Sequence, residues 1–150
     1  MLIVPVRLGP SRIHGIGVFA SRTIPAGTVV WRFQPGFDQR FTREEILALP
    51  PNAQRFLAKY SNRSSLSGLY LLDNDLGRHL NHSDDANLNS VVVPGEIETV
   101  SVAIRDIAED EELTEDYSLY ETPDDPDNLR FTLESALDAS DLDPRRRPKT

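Results

Sequence analysis

Cysteine is absent from this 150-residue sequence, so the chain can form neither disulfide bonds nor zinc sites with thiolate ligands. Uninterrupted apolar runs of about 18 residues are also absent, which argues against a transmembrane helix. The first residues, Met1–Pro5, lack the basic and extended apolar regions of a signal peptide and are typical of a first strand. We therefore expect a soluble, cytoplasmic protein, bacterial by default, that does not bind a membrane.

Basic residues are scarce: 16 Lys and Arg stand against 24 Asp and Glu, for a net charge of −8. Because binding to a nucleic-acid backbone needs clustered Lys and Arg, we expect no direct nucleic-acid partner. An acidic surface can attract a basic protein or peptide, although it can equally serve only solubility. The length fits one domain with a single hydrophobic core.

An unusually polar segment spans residues 77–87, in which Leu80 and Ala86 are the only alkyl side chains. It has too few apolar groups for a core strand and too many hydrogen-bonding groups to be buried unpaired. It is either a surface loop closed by Asx turns or the polar wall of a pocket. In a pocket, Asn81 and His82 would suit a ligand with mixed edges, such as an adenine, a ribose or an amino-acid head group.

Short β-branched and apolar runs, separated by turn residues, predict a mostly β (α+β) domain with a small helical insert at about 36–66. Thr42 and Glu45 form a capping box, which predicts a helix ending near Leu49. The predicted strands are 2–8, 18–20, 28–33, 69–72, 89–93 and 96–104, the predicted turns and loops are 9–11, 24–27 and 61–68, and a second helix is predicted at 52–60.

The region after the main domain, which we place at 1–120, is predicted in two parts. Residues 121–137 begin acidic and proline-rich and end with leucines at i, i+4 and i+8, which predicts a lid carrying a short amphipathic helix. Residues 138–150 end in a basic run and are expected to be a flexible tail.

Three motifs occur in a fixed order along the chain. They are His14-Gly15-Ile16-Gly17-Val18-Phe19-Ala20, Arg78-His79-Leu80-Asn81-His82-Ser83 and Glu111-Glu112-Leu113-Thr114-Glu115-Asp116-Tyr117. A lone Gly-x-Gly is a weak signal, but the ordered set is specific. Together with the turn Ile24-Pro25-Ala26-Gly27 and with Asn87, the motifs resemble the SET-domain protein lysine methyltransferases, in a small form without a zinc-binding post-SET region. The resemblance covers roughly residues 5–120.

This resemblance implies a SET-domain fold of several small twisted sheets (a β-clip), with the C-terminal segment 112–117 crossing the earlier segment 81–83 in a pseudoknot. It also implies S-adenosylmethionine as the methyl donor. The donor contacts implied by the resemblance are His14, Gly15, Ile16, Gly17, Arg78, His79, Asn81 and His82. The implied catalytic tyrosine is Tyr117.

Methyl transfer from a sulfonium to an amine depends mainly on holding the reacting atoms in line. The lysine must first lose a proton, which costs about 4–5 kcal/mol from a pKa near 10.4 to pH 7. A dry channel lowers this cost because it disfavours the ammonium. The chemistry requires no metal.

Glu115 departs from the family pattern, which usually has Phe or Tyr at this position. If 113–117 is extended, Leu113, Glu115 and Tyr117 face the same side, so Glu115 would face the lysine channel as a second catalytic-site residue beside Tyr117. Its carboxylate would favour the ammonium and oppose the reaction, or it would grip the lysine or a methylated product. The alternative is a bulge that turns Glu115 to solvent.

Three further positions leave alternatives open. His79 either stacks on the donor's adenine or fills space. Tyr70 either lines the lysine side of the site or is a core tyrosine with a bonded hydroxyl. Asp84 stands where many members carry a zinc-binding cysteine, so another element must close the channel: the C-terminal helix or a second copy of the chain.

The sequence therefore predicts an enzyme that methylates a lysine ε-amine of a basic protein or peptide, as a monomer or homodimer. The alternative is a non-catalytic SET-fold binding or regulatory module, with or without the S-adenosylmethionine pocket.

Overall fold

A computed structural model describes residues 1–119 of the chain. Short strands dominate it, which confirms the predicted mostly β class. The strands are β1 (Val6–Pro10), β2 (Ile16–Ala20), β3 (Val29–Trp31), β4 (Gln39–Phe41), β5 (Ser61–Arg63), β6 (Tyr70–Leu72), β7 (Asn81–His82), β8 (Leu88–Val91), β9 (Val100–Ala103) and β10 (Glu112–Glu115). The helices are α1 (Arg43–Leu47), α2 (Pro51–Tyr60) and the 3₁₀ helices Leu76–His79 and Tyr117–Leu119. The lid predicted at 121–137 and the tail predicted at 138–150 lie outside the described residues.

The larger sheet has the strand order β1-β2-β10-β8-β9-β3, and β7 also pairs with β10. Apolar side chains from its strands and from the connecting turns form one core, in which Val18, Val30 and Leu113 are completely buried. The hairpin of β8 and β9 was predicted, and the turn at Pro94–Gly95 joins them with Gly95 at φ 90°.

Strand β10 lies between strands that are distant in the sequence. It runs antiparallel to β2 and parallel to β7 and β8, with Thr114 opposite Asn81 and Glu115 opposite His82. The predicted crossing of the two polar segments is therefore confirmed. The consequence for the site is that residues from all three sequence motifs meet along one strand.

The helical insert packs on a second, three-stranded sheet of order β4-β6-β5. The predicted capping box is present: the Thr42 hydroxyl accepts from the Glu45 backbone N–H at 3.1 Å, and the Glu45 carboxylate accepts from the Thr42 N–H at 2.8 Å. Ile46, Leu57 and Leu72 form the buried core between the helices and this sheet.

Three local predictions were wrong. Residues 61–63 are strand β5, paired with β6, and not part of a polar loop. Strand β1 continues through Pro10, so the predicted turn at 9–11 moves to Ser11, whose N–H donates to the Gly15 carbonyl at 3.0 Å. Strand β10 ends at Glu115, so the extended run does not reach Tyr117, which begins a 3₁₀ helix.

Within residues 1–119, no helix is long and apolar enough to cross a membrane. No group of three or more His, Asp or Glu side chains in the same range is arranged to hold a metal ion.

Candidate active site

Among the cavities described within residues 1–119, the largest is a cleft of about 540 Å³, a volume within the range of small-molecule sites. Strands β2, β7 and β10 and the end of α2 bring its walls together. We call it the large cleft; it is lined by Ile13, His14, Gly15, Ile16, Lys59, Tyr60, Arg78, His79, Leu80, Asn81, His82 and Tyr117. Seven of the eight residues predicted to contact the methyl donor therefore line this cleft.

Asn81 fastens the glycine loop to this wall. Its side-chain amide Nδ2 donates to the carbonyls of His14 and Ile16, both at 3.1 Å, and to Glu112 Oε1 at 2.9 Å. The backbone of 14–16 is thus held against β7 by one amide group. The carbonyls of His14 and Ile16 both point toward Asn81. Contacts within the protein therefore fix the shape of this loop before any ligand binds.

Gly17 is the predicted donor contact that does not line the large cleft. A Cβ at Gly17 would lie 2.2 Å from Glu112 Oε1, so the missing side chain makes room for the Glu112 carboxylate. That carboxylate accepts from Asn81 and, through Oε2, from the Ser11 hydroxyl at 3.0 Å. Gly17 therefore shapes the wall of the cleft through Glu112.

His82 ties β7 to the predicted catalytic tyrosine. Its Nδ1 accepts from the Tyr117 backbone N–H at 3.1 Å, so the proton of the neutral ring is on Nε2, which lies 3.1 Å from Asp84 Oδ1. The rings of His82 and Tyr117 are 5.4 Å apart. The tyrosine hydroxyl donates to the Leu80 carbonyl, so Tyr117 is held at its backbone by His82 and at its hydroxyl by Leu80.

Aromatic and cationic residues form the other wall of the large cleft. Tyr60 packs edge-on against His79, with ring centroids 6.1 Å apart. Burial lowers the pKa of His79, and the charges of Arg78 and Lys59 lower it further, so the neutral imidazole is favoured at pH 7. Lys59 and Arg78 supply positive charge for an anionic group of a ligand.

Four residues of this cleft were missed from the sequence: Ile13, Lys59, Tyr60 and Leu80. Tyr60 is the last residue of α2, and its place in the last turn of a predicted helix is the one sequence signal that could have indicated it. Ile13 lies just before the glycine loop and is half exposed.

A smaller cavity of about 70 Å³ continues inward from the large cleft. Tyr117, Arg78, Leu80, Lys59 and Tyr60 border both cavities. We call this cavity the acidic chamber because Asp73 and Glu115 also line it. The remaining lining residues are Ser61, Asn62 and Gly77.

Glu115 faces the acidic chamber although the strand ends before Tyr117. Its Oε1 accepts from the Ser101 hydroxyl at 2.5 Å. Glu115, the last residue of β10, and Tyr117, the first residue of the following 3₁₀ helix, therefore line the same cavity, although the backbone is extended at one and helical at the other. A bulge that turns Glu115 to solvent is not present.

Asp73 is half-buried, and sequence reasoning did not select it. Burial raises the pKa of its carboxyl to about 8. The amino terminus opposes this shift, whereas the charges of Asp38, Glu115 and Asp75 add to it.

Tyr70, the third predicted catalytic-site residue, lies elsewhere. It is 5% exposed and packs with Ile46, Leu57 and Leu72 in the helical core. Of the two alternatives predicted for Tyr70, it is therefore a core tyrosine and does not line the lysine side of the site. Its exposed edge borders a different surface cavity, shared with Thr42 and Arg63.

Comparison with known families and structures agrees with this geometry. A family model described as SET domain matches residues 15–118. Polycomb Repressive Complex 2 of Chaetomium thermophilum bound to GSK126 is 26% identical over 89% of this chain, with a TM-score of 0.64. The same complex in an autoinhibited conformation bound to S-adenosylmethionine is 23% identical over 89% of this chain, with a TM-score of 0.63.

The chain spans only 18% and 17% of the matched chains of those two structures. A Plasmodium falciparum protein assigned as a histone methyltransferase matches over 90% of its own length and 74% of this chain, with 23% identity and a TM-score of 0.51. Curated protein sequences give no significant match. S-adenosylmethionine is the cofactor of the SET methyltransferases.

Proposed function

Since the chain belongs to the SET-domain family, we propose that it transfers a methyl group from S-adenosylmethionine to a lysine ε-amine of a basic protein or peptide. The observation that carries this proposal is the position of Tyr117, which borders both the large cleft and the acidic chamber. One cavity can therefore hold a donor and the other an amine, with the phenol between them.

The large cleft suits the donor in size and in chemistry. A molecule with an adenine, a ribose and an amino-acid head group needs an aromatic or apolar wall together with hydrogen-bonding and charged groups. Tyr60 and His79 offer ring faces, and Lys59 or Arg78 can pair with the carboxylate. When bound there, S-adenosylmethionine supplies an electrophilic methyl group.

Tyr117 positions the reacting groups. Its hydroxyl donates to the Leu80 carbonyl, which sets the direction of the O–H bond. Oxygen lone pairs accept weak C–H hydrogen bonds from a methyl group and a conventional one from an amine. The His82 ring holds the Tyr117 backbone, so the phenol is preorganised.

The substrate class follows from charge. A net charge of −8, together with the Glu115 carboxyl group in the acidic chamber, favours a cationic side chain that arrives on a basic segment. The chamber is small, so it can admit an alkylammonium but not a nucleobase.

A labelled-methyl assay on lysine-rich basic proteins tests the proposal. We expect the wild-type protein to label lysine and Tyr117→Phe to lose about 10²-fold in single-turnover rate, the usual cost of removing one positioned polar group. Calorimetry should show nearly unchanged affinity for S-adenosylmethionine in this variant.

Tyr70→Phe is the matched comparison, because it removes the same atom from a tyrosine in the helical core. It should keep the rate. Donor binding without methyl transfer to any lysine would instead support the non-catalytic binding module, and absence of donor binding would overturn the proposed methyl transfer.

A further inference from the structure

Two carboxyl groups line the acidic chamber, but their surroundings differ. Glu115 accepts a 2.5 Å hydrogen bond from Ser101. Among residues 1–119, no hydrogen bond or ion pair engages the carboxyl of Asp73. An acid that is half-buried without such a partner is costly to keep for structural reasons alone.

The fold makes space for this carboxyl. A Cβ at Gly77 would lie 2.7 Å from Asp73 Oδ2, so a glycine at this position lets the carboxyl lie flat against the 3₁₀ helix. Asp75, by contrast, is fully used by the backbone: it accepts from the N–H groups of Gly77 at 2.9 Å and Leu2 at 2.7 Å.

Asp73 also borders a second cavity. This hydroxyl passage is lined by the side chains of Ser64, Ser90, Thr99 and Ser101 and by Trp31. Trp31 is 7% exposed, and its indole Nε1 is buried without a hydrogen-bond partner.

We propose that Asp73 is the general base of the reaction and takes the proton of the target ammonium in the acidic chamber; this inference rests on the proposed function. As the amine enters, an O–H bond forms on the Asp73 carboxylate and an N–H bond of the ammonium breaks. The nitrogen keeps the electron pair and becomes the nucleophile. The proton later leaves Asp73 through the hydroxyl passage to solvent.

The environment makes Asp73 a stronger base than an ordinary carboxylate. With a pKa of about 8, its conjugate acid is close to the ammonium in acidity, so proton transfer is far less uphill. The groups that act on it are Asp38, Asp75, Glu115 and the amino terminus, with Arg78 and Lys59 also in the chamber wall. Since the base must be ionised, the rate should rise as pH rises through its pKa.

Single-turnover rates across pH test the assignment. With a lysine peptide labelled in the assay above, Asp73→Asn should be about 10²-fold slower than the wild type near neutral pH. The difference should shrink to a few-fold near pH 10, because the free amine is then abundant without a base. Replacing the target lysine with S-aminoethylcysteine, whose amine is less basic, should rescue Asp73→Asn more than the wild type.

Two further variants separate this role from a structural one. Asp85→Asn removes a charge at an exposed position that borders neither of these cavities, and should keep the wild-type pH dependence. Gly77→Ala keeps the Asp73 carboxyl but displaces it, and should give a pH-dependent loss of the same sign. Affinity for S-adenosylmethionine should be unchanged in Asp73→Asn, because Asp73 does not line the large cleft.

If the wild type methylates lysine and Asp73→Asn is equally fast, or slower by the same factor at every pH, this inference is overturned. The proposed function then stands. A wild type that methylates no lysine overturns the proposed function and this inference with it.

Discussion

At Gly17 the important feature is the absence of a side chain. The Glu112 carboxylate occupies the space that a Cβ would take, and from there it accepts from both Asn81 and Ser11. Asn81 in turn holds the backbone of residues 14–16. One glycine therefore sets the position of a loop whose other residues line the large cleft.

Gly17→Ala should destabilise the protein by about 1–3 kcal/mol, because Glu112 must move and leave polar groups unpaired. Affinity for S-adenosylmethionine should fall with it. Denaturant unfolding and calorimetry measure the two effects.

A double-mutant cycle with Glu112→Ala provides the control. If the damage passes through Glu112, Gly17→Ala should cost less than about 0.5 kcal/mol in the Glu112→Ala background. An equal cost in both backgrounds would show that the backbone itself, and not the carboxylate, is disturbed.

The two glycines of the first motif have different structural roles. Gly15 has φ 50°, and Gly17 gives the close approach, to a glutamate rather than to a ligand. The partner lies 95 positions away, so local reasoning could not name it. Asp73 was missed for the same reason, since next to Asn74 and Asp75 it reads as the turn that ends β6.

Among the elements, α1 was the most predictable because its signal is local. Thr42 and Glu45 satisfy each other's backbone N–H groups, and Ile46 then lies on the buried face. Capping is decided within four residues, so the sequence contains all the information needed.

Thr42→Ala should lower stability by about 1 kcal/mol, because the first turn of α1 loses its cap. Thermal unfolding should show a fall of a few degrees. Methyl transfer measured well below that transition should be unaffected, since α1 does not border the large cleft.

Thr23→Ala is the matched control, because Thr23 is exposed and lies outside the strands and helices. Its effect should stay within about 0.5 kcal/mol. Equal losses from the two substitutions would contradict a role for the capping box.

Strand β5 and the end of β10 were less predictable because tertiary contacts decide them. Ser61, Asn62 and Arg63 have no strand pattern, yet they pair with the fully buried β6 and complete its hydrogen bonds. At Tyr117 the extended path ends because Ser118 N–H and hydroxyl both bond to Asp116 Oδ1. These short-range bonds favour a turn over further alternation.

At the scale of the whole molecule, Asp73 links folding to pH. Between about pH 4 and pH 8 the unfolded chain has this carboxyl ionised while the folded protein holds it protonated. The folded state then binds more protons, so this group's contribution to the free energy of unfolding falls as pH rises. This stabilising contribution of Asp73 is fully present at pH values below the pKa that its carboxyl has in the unfolded chain, and it is lost above about pH 8.

Asp73→Asn removes this dependence, so the variant should gain stability relative to the wild type as pH rises from about 4 to about 8. Denaturant unfolding at several pH values measures the difference. Asp85→Asn removes a charge from an exposed position and should give a nearly constant difference. A constant difference for Asp73→Asn as well would show that its carboxyl ionises normally in the folded protein.

The insertion of β10 between β2 and β8 also has a consequence for biosynthesis. Until residues 112–115 have left the ribosome, both neighbouring strands keep a row of unsatisfied backbone groups on an open edge. A nascent chain released before that point would offer these edges to other unfinished chains, and aggregation would compete with folding. The protein is thus most vulnerable immediately before β10 is synthesised.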